Sequence, residues 1–129
     1  MLPCAPVDPL TGEDFQVVVV GGGPAGLSAA RTAAAAGVRT VVLERNNEIG
    51  IPVRTSGASW IEDLRRLGVP ARFYNPTRRV RILGPSRDVR FEYDPPVNCV
   101  LDVRGLYQHL AMEAACRGAS VRVRSRVVP

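Results

Sequence analysis

The 129-residue sequence predicts an α/β fold of the Rossmann-like type, in which a β-α-β unit forms part of a parallel sheet. A short, apolar, β-branched segment, FQVVVV, occupies residues 15–20 and is typical of a buried parallel strand. A glycine cluster and an alanine-rich helix to about Ala36 follow it, and Val38 to Glu44 reads as a second strand. A helix between two such strands implies a right-handed crossover and parallel pairing.

Several smaller elements are predicted after this unit. Residues 45–55 have the composition of a loop, and Gly37 lies where a glycine ends a helix. The Ser-x-x-Glu pattern at residues 59–62 predicts a capped short helix to Leu67, with Trp60 packing against it. Residues 78–83 and 89–93 alternate apolar and polar positions around Gly84-Pro85-Ser86, which predicts a small β-hairpin insertion.

The last third of the chain predicts one more strand–helix–strand succession. Residues 100–103 are short and extended, residues 106–117 are helical, and residues 119–128 alternate as a strand does. We therefore expect residues 1–14 to be a flexible leader and residues 15–129 to be one Rossmann-like domain. Since a doubly wound fold continues with further elements, we expect an incomplete domain whose substrate domain is absent.

Composition limits the function classes. The net charge is +5 and all basic residues are arginine, but they are scattered, and aromatic residues make up only 5% of the chain. This pattern argues against a nucleic-acid partner. No apolar run is long enough to span a bilayer. Cys4, Cys99 and Cys116 lack Cys-x-x-Cys spacing, which argues against a metal site or a disulfide framework and favours reduced thiols in a cytoplasmic protein.

The glycine cluster carries the strongest chemical signal. Its pattern is Gly21-x-Gly23-x-x-Gly26, directly after a strand and at the start of a helix, which is the context of a dinucleotide-binding fingerprint. Gly21 allows the tight turn, Gly23 allows a pyrophosphate to approach the backbone, and Gly26 lets the helix pack near the sheet. Pro24 and Ala25 lie within the same candidate site at the helix N-terminus.

An acidic residue completes the fingerprint. Glu44 ends the second strand, near the distance at which an acid accepts hydrogen bonds from the ribose hydroxyls. Its charge disfavours the 2′-phosphate of NADP. The motif alone leaves both FAD and NAD open, although the adjacent Arg45 is a hint in favour of FAD.

Longer segments resemble the FAD-dependent oxidoreductases of the geranylgeranyl reductase family, within the wider group that includes the p-hydroxybenzoate hydroxylase-like flavoproteins. VVVVGGGPAGLSAA and VVLER match the FAD-binding start that the whole group shares. EIGIPVR at residues 48–54 and RILGPS at residues 81–86 are more particular to the reductases. The segment from Val100 to Ser125 is similar to the reductase segment before the next Rossmann strand.

The resemblance implies FAD as cofactor, with NAD(P)H as a candidate electron donor, and reduction of isolated C=C bonds in isoprenoid chains. It assigns Gly21, Gly23, Gly26 and Glu44 to the adenosine and pyrophosphate site. Arg45, Arg54 and Arg104 are candidates for phosphate or flavin contacts. Pro52 matches the loop that runs towards the flavin ring, together with Arg54.

Two positions depart from the family pattern. The reductases usually continue Pro-Val-Arg with Cys-Gly-Glu, whereas this chain has Thr55-Ser56-Gly57. Val103 stands where the family usually has an arginine, and Arg104 comes one residue later. Two alternatives therefore stay open: a flavin-dependent monooxygenase of the aromatic hydroxylase type with an aromatic substrate, and a non-catalytic FAD-binding module. The chain alone lacks the walls of a flavin site, so a second polypeptide is a further candidate partner.

Overall fold

The computed structural model describes residues 14–128, which form two compact units. Residues 14–53 and 104–128 make the first unit, and residues 54–103 make the second. The elements in chain order are β1 (Val17–Val20), α1 (Pro24–Ala35), β2 (Thr40–Leu43), β3 (Ala58–Trp60), α2 (Ile61–Arg66), a 3-10 turn (Ala71–Phe73), β4 (Tyr74–Thr77), β5 (Arg79–Leu83), β6 (Asp88–Glu92), β7 (Asn98–Leu101), α3 (Val103–Cys116) and β8 (Ser120–Arg122).

The first unit is the predicted β-α-β unit with one more parallel strand. Its sheet has the order β1-β2-β8, and both pairings are parallel. Helix α1 ends where predicted, since Gly37 follows it with φ +78°, a conformation that favours glycine. The fold class inferred from the sequence is confirmed, including the parallel sheet.

Small side chains bring the helices of the first unit close to its sheet. Leu27 and Ala30 of α1, Val42 of β2 and Ala114 of α3 are completely buried in one core cluster. Alanine at these helix positions adds little bulk, so the backbone lies near the sheet. The core therefore fixes where α1 begins relative to the ends of β1 and β2, which is where the glycine cluster lies.

The prediction that the first strand is buried on both faces is wrong for the described residues. Side chains alternate along β1, and Val18 and Val20 are 54% and 67% exposed. Among the described residues β1 pairs only with β2, which makes it an edge strand with one covered face. The apolar sequence of β1 is therefore typical of a strand in a parallel sheet, but it does not show which of the two faces of the strand is covered by other residues.

The second unit contains a three-stranded antiparallel sheet of order β3-β7-β4 and a separate β5-β6 hairpin. Ile61 and Leu64 of α2 bury against Cys99 of β7. The hairpin is confirmed, with Val80 opposite Phe91 and Ile82 opposite Val89. These four residues share one face of the hairpin because side chains alternate along each strand.

Four local expectations need correction. Ser59 is in β3 and does not cap α2: the capping position is Trp60, without a side-chain cap hydrogen bond. Trp60 is 55% exposed instead of packing fully against the helix. Helix α3 begins at Val103, three residues earlier than expected, and Val103 is buried. Strand β8 ends at Arg122, since β2, its partner, ends at Leu43.

The cysteine prediction is also wrong in one respect. Cys99 is a free, buried thiol whose pKa is raised by burial, but Cys116 is disulfide-bonded. Cys4 and most of the expected leader lie outside the described residues. Among residues 14–128, no helix combines the length and the apolar character that a membrane span requires.

Candidate functional site

The glycine cluster forms a tight connection between β1 and α1. Gly21 leaves the strand with φ +103°, in the region that glycine tolerates best, and its amide donates to the Leu43 carbonyl oxygen at 2.9 Å. Gly23 is the residue that caps α1, with an extended backbone, and its carbonyl oxygen accepts from the Leu27 amide at 2.9 Å. The turn therefore holds the start of α1 beside the end of β2.

The N-terminus of α1 is suited to an anion. No described side chain caps the helix, no acidic residue lies in its first turn, and Pro24 at the first position has no N–H group. The next amides, of Ala25 and Gly26, belong to the four that have no partner within the helix. Because these amides add to the positive end of the helix dipole, a pyrophosphate group fits this end chemically.

The three glycines of the fingerprint differ in what surrounds them. A side chain at Gly23 would meet no atom within 4 Å, so the space in front of its backbone is open. A side chain at Gly26 would collide with the Gly21 carbonyl oxygen and approach Val19 Cγ1 at 3.0 Å. The open space at Gly23 can admit a ligand, whereas Gly26 is needed for packing of α1 against β1.

Glu44 lies directly after β2 and faces the glycine cluster. Its Oε2 accepts from the Gly22 amide at 2.8 Å, and its Oε1 accepts from the Asn46 amide at 2.8 Å and from Asn46 Nδ2 at 2.7 Å. Burial acts to raise the pKa of Glu44, but these hydrogen bonds and the charge of Arg45 outweigh it, so the pKa lies below the usual 4.5. The group is thus ionised at neutral pH and fixed beside the loop.

The backbone around Glu44 is fixed as well. The Glu44 amide donates to the Arg122 carbonyl oxygen, and the Glu44 carbonyl oxygen accepts from the Ser125 amide, both at 2.8 Å. The Arg124 amide donates to the Asn46 carbonyl oxygen at the same distance. The segment after β8 therefore holds the Glu44 loop in place, a role that the sequence did not suggest.

The candidate arginines lie on different segments of the chain. Arg45 is exposed and adjoins Glu44, while Arg54 is exposed at the start of the second unit. Arg104 lies in the first turn of α3, and its Nε donates to Glu48 Oε1 at 2.7 Å. Gln108, one turn later, also donates to Glu48 Oε1. The expected position of Arg104 before the helix is therefore corrected.

Sequence reasoning missed three residues that shape this site. Gly22 is buried, and a side chain there would meet the terminal methyl group of Ile49, which would have to shift to make room. Asn46 supplies two of the hydrogen bonds to Glu44, and Glu48 holds Arg104. The available signal for Gly22 was that residues 21–23 are all glycine, although the fingerprint requires glycine only at positions 21 and 23 of this run. No comparable signal marked Asn46 or Glu48, since loop contacts depend on the fold.

Comparison with known proteins gives the family. The model of the FAD binding domain family matches residues 14–128 of this chain. The chain belongs to the FAD-binding domain family. Its cofactor is FAD. The glycine motif left both FAD and NAD open, and the family match selects FAD.

The FAD-binding domain is similar to geranylgeranyl reductases in sequence and fold. It is 37% identical over 121 residues to a digeranylgeranylglycerophospholipid reductase of Thermoplasma volcanium, covering 88% of this chain and 31% of the relative. A solved geranylgeranyl bacteriochlorophyll reductase-like protein of Thermoplasma acidophilum matches with a TM-score of 0.73 at 37% identity. That match covers 85% of this chain and 30% of the other.

A more distant solved structure shares the fold alone. The complex of aklavinone-11 hydroxylase with FAD and aklavinone matches with a TM-score of 0.64 at 23% identity, covering 92% of this chain and 27% of that one. The FAD-binding domain therefore spans about a third of the length of the relatives it matches.

Within the described residues no group of three or more histidine, cysteine or acidic side chains is arranged to hold a metal ion.

Proposed function

We propose that this FAD-binding domain is part of a flavin-dependent oxidoreductase that reduces C=C bonds in isoprenoid chains. The similarity to a digeranylgeranylglycerophospholipid reductase over 88% of the chain supports this substrate class. FAD supplies the redox chemistry, and the protein binds and orients it. Residues 15–129 would be the FAD-binding part, with the substrate domain supplied by further sequence or by a second polypeptide.

The observation that best supports the site assignment is the open, uncapped N-terminus of α1 beside an ionised carboxylate. The amides after Gly23 and Pro24 would bind the pyrophosphate, with Gly21 and Gly26 setting the geometry. Ala25 would contribute its amide. The low pKa of Glu44 supports its role as an acceptor for the ribose hydroxyls.

The arginines have secondary roles in this proposal. Arg45 is exposed next to Glu44 and can supply positive charge near the adenosine end. Arg104 would contact the cofactor from the first turn of α3, where its Nε also donates to Glu48 Oε1. Arg54 would approach the flavin, as the family resemblance implies. A cytoplasmic location also stays a proposal.

One residue favours a second candidate function, a monooxygenase of the aromatic hydroxylase type. Thr55 replaces the cysteine that the reductases usually have, and its Oγ1 accepts from the Gly57 amide at 3.3 Å, so it forms a local turn contact and offers no thiol. The reductase proposal does not require that thiol to hold FAD. The monooxygenase alternative requires oxygen consumption coupled to an aromatic substrate.

The test starts from FAD-loaded protein, completed by any second polypeptide that copurifies. Anaerobic reduction by dithionite, followed by addition of a geranylgeranyl lipid, should reoxidise the flavin and saturate a double bond. Substrate-dependent NAD(P)H oxidation with oxygen uptake on an aromatic compound would instead support the monooxygenase. FAD binding with neither activity would support the non-catalytic module.

A further inference from the structure

Several hydrogen-bond donors converge on a single oxygen atom in the first unit. Glu48 Oε1 accepts from Arg104 Nε at 2.7 Å, lies 2.5 Å from Arg104 Nη2, and also accepts from Gln108 Nε2. Arg104 and Gln108 are four residues apart on α3, so their side chains are neighbours on the helix surface. These two side chains form a cradle for one anionic oxygen, which we call the α3 cradle.

The loop after β2 holds this arrangement between the glycine cluster and α3. Ile49 is buried, and its side chain lies against Gly22 of the glycine cluster. Gly50 has φ +84°, and a Cβ atom there would lie 3.1 Å from the Arg104 carbonyl oxygen. Directly packed residues therefore connect the α3 cradle to the loop that is proposed to bind the pyrophosphate.

The Glu48 carboxylate is an occupant of the cradle that another anion can replace. The side chains of Arg104 and Glu48 are 56% and 33% exposed, and ion pairs with this exposure contribute little to stability. The other acid of this loop, Glu44, is held by the Gly22 amide and by Asn46. Phosphate oxygens accept charge-assisted hydrogen bonds from guanidinium groups as carboxylate oxygens do, so they fit the same donors.

We propose that the α3 cradle is an anion site for a phosphate oxygen of FAD, and that the Glu48 carboxylate occupies it until the cofactor binds. Binding exchanges one oxygen acceptor for another, and Glu48 is released to solvent. The measured affinity for FAD is then lower than the intrinsic one by the fraction of molecules in which the cradle is free. The inference rests on the proposed contact of Arg104 with the cofactor, to which it adds Gln108 as a ligand and Glu48 as a competitor.

A double-mutant cycle tests this exchange. FAD would be titrated into the 129-residue chain and into Glu48→Gln, Arg104→Gln and the double variant, with flavin fluorescence as the readout. Glu48→Gln should bind FAD about three- to sixfold more tightly, because loss of the surface ion pair frees the cradle. Arg104→Gln should bind it about tenfold more weakly, because a charge-assisted contact is lost. The double variant should match Arg104→Gln, because the guanidinium for which Glu48 competes is absent.

The cycle distinguishes exchange from two other roles of Glu48. If the carboxylate orients Arg104 for the cofactor, FAD binding becomes weaker in Glu48→Gln. If the carboxylate repels the cofactor only through its charge, Glu48→Gln tightens binding equally with and without Arg104. Either result would overturn the inference.

Two further variants localise the site. Gln108→Ala should weaken FAD binding about threefold, because one neutral hydrogen-bond donor is lost. Glu62→Gln is the matched control, since Glu62 also pairs with an arginine, Arg66, but lies on α2 in the second unit. Unchanged affinity in Gln108→Ala, or equal effects of Glu62→Gln and Glu48→Gln, would contradict the inference. Thermal unfolding of each variant checks that it is folded.

The outcome of these titrations is separate from the reaction that the protein catalyses. Equal FAD affinity in the wild type and in all variants would overturn the inference and leave the proposed reduction of isoprenoids in place. The expected pattern in a protein that does not reduce isoprenoids would support the exchange and count against the proposed function. The same cycle with NADPH is the last arm: a pattern seen with NADPH and not with FAD would overturn the assignment of the cradle to FAD.

Discussion

The Glu44 carboxylate accepts a hydrogen bond from the Gly22 amide at 2.8 Å, which ties the acid of the fingerprint to its glycine loop. The acid and the loop come from the ends of neighbouring parallel strands, so the sheet register sets their distance. Asn46 holds the second carboxylate oxygen. The geometry expected to bind the ribose and the pyrophosphate is therefore organised by the protein itself.

Replacing Glu44 tests its proposed contact with the ribose. We expect Glu44→Ala to weaken FAD binding by about tenfold or more, because hydrogen bonds to a charged group contribute roughly 1.5–3 kcal/mol. Fluorescence titration with FAD measures the change. Glu92→Ala is the control, because Glu92 is exposed on the hairpin of the second unit. Unchanged affinity in Glu44→Ala would remove the residue from the site.

The lowered pKa of Glu44 predicts a pH dependence of stability. A folded-state pKa below the unfolded value means that the unfolded chain binds the proton more readily, so this contribution is full above pH 4.5 and is lost as pH falls through the folded pKa. We expect the free energy of unfolding to fall more steeply below pH 4.5 in the wild type than in Glu44→Gln. Urea unfolding at several pH values measures it, and parallel curves would show that Glu44 contributes nothing.

Two glycine substitutions should have opposite effects. Gly23→Ala has open space and a negative φ of −82°, so we expect unchanged stability but FAD affinity reduced by about tenfold, because the methyl group displaces the phosphate. Gly26→Ala should reduce stability by about 1–3 kcal/mol, because its methyl group meets the Gly21 carbonyl oxygen.

Thermal unfolding and FAD titration of both variants separate binding from packing. A Gly23→Ala protein that binds FAD normally would place the pyrophosphate elsewhere. A Gly26→Ala protein of normal stability would show that α1 does not need to lie so close to β1.

The Arg104–Glu48 ion pair tests whether Arg104 acts on the cofactor or only on the loop. We expect Arg104→Gln to weaken FAD binding, whereas Glu48→Gln should not, because removal of the acid leaves the guanidinium free to meet phosphate. Each variant should change stability by less than about 1 kcal/mol, since the pair is partly exposed. Equal FAD affinity in both variants and the wild type would assign Arg104 a structural role.

A second ion pair joins α1 to α3. Arg31 Nη1 lies 2.7 Å from Glu113 Oε2, and both side chains are about one-third exposed. We expect Arg31→Gln to lower the free energy of unfolding by roughly 0.5–1 kcal/mol. Arg66→Gln is the control, since Arg66 pairs with Glu62 on α2 and is 73% exposed, and it should have a smaller effect in the same urea titration. Equal effects would show that the α1–α3 contact adds nothing beyond a surface pair.

Local chemistry explains which features the sequence predicted. The sequence predicted the β-α-β unit, the glycine after α1 and the hairpin, because each depends on a pattern of residues that are close together in the chain. Strands β3 and β4 were missed because they are short and exist only through pairing with β7. Ser59 also does not cap α2 as its pattern predicted, because it pairs with Cys99 of β7, far away in the sequence, and so belongs to β3.

The candidate site shows the same division. Gly21, Gly23, Gly26 and Glu44 form a motif of fixed spacing, so their proximity could be predicted. The partners of Glu44 and Arg104 could not, because they depend on how the loop after β2 packs against α3. Gly50 is an example of this packing between the loop and α3: a Cβ atom at Gly50 would lie only 3.0 Å from the Arg104 Cα.

Retention of FAD by the 129-residue chain tests the central claim most directly. The chain would be purified, desalted and examined for flavin absorbance, then titrated with FAD and separately with NAD. We predict one FAD bound per chain, with affinity weakened by about tenfold or more in Gly23→Ala and Glu44→Ala, and no comparable NAD binding. A folded chain that binds NAD but not FAD, or that binds FAD equally well with both residues replaced, would contradict it.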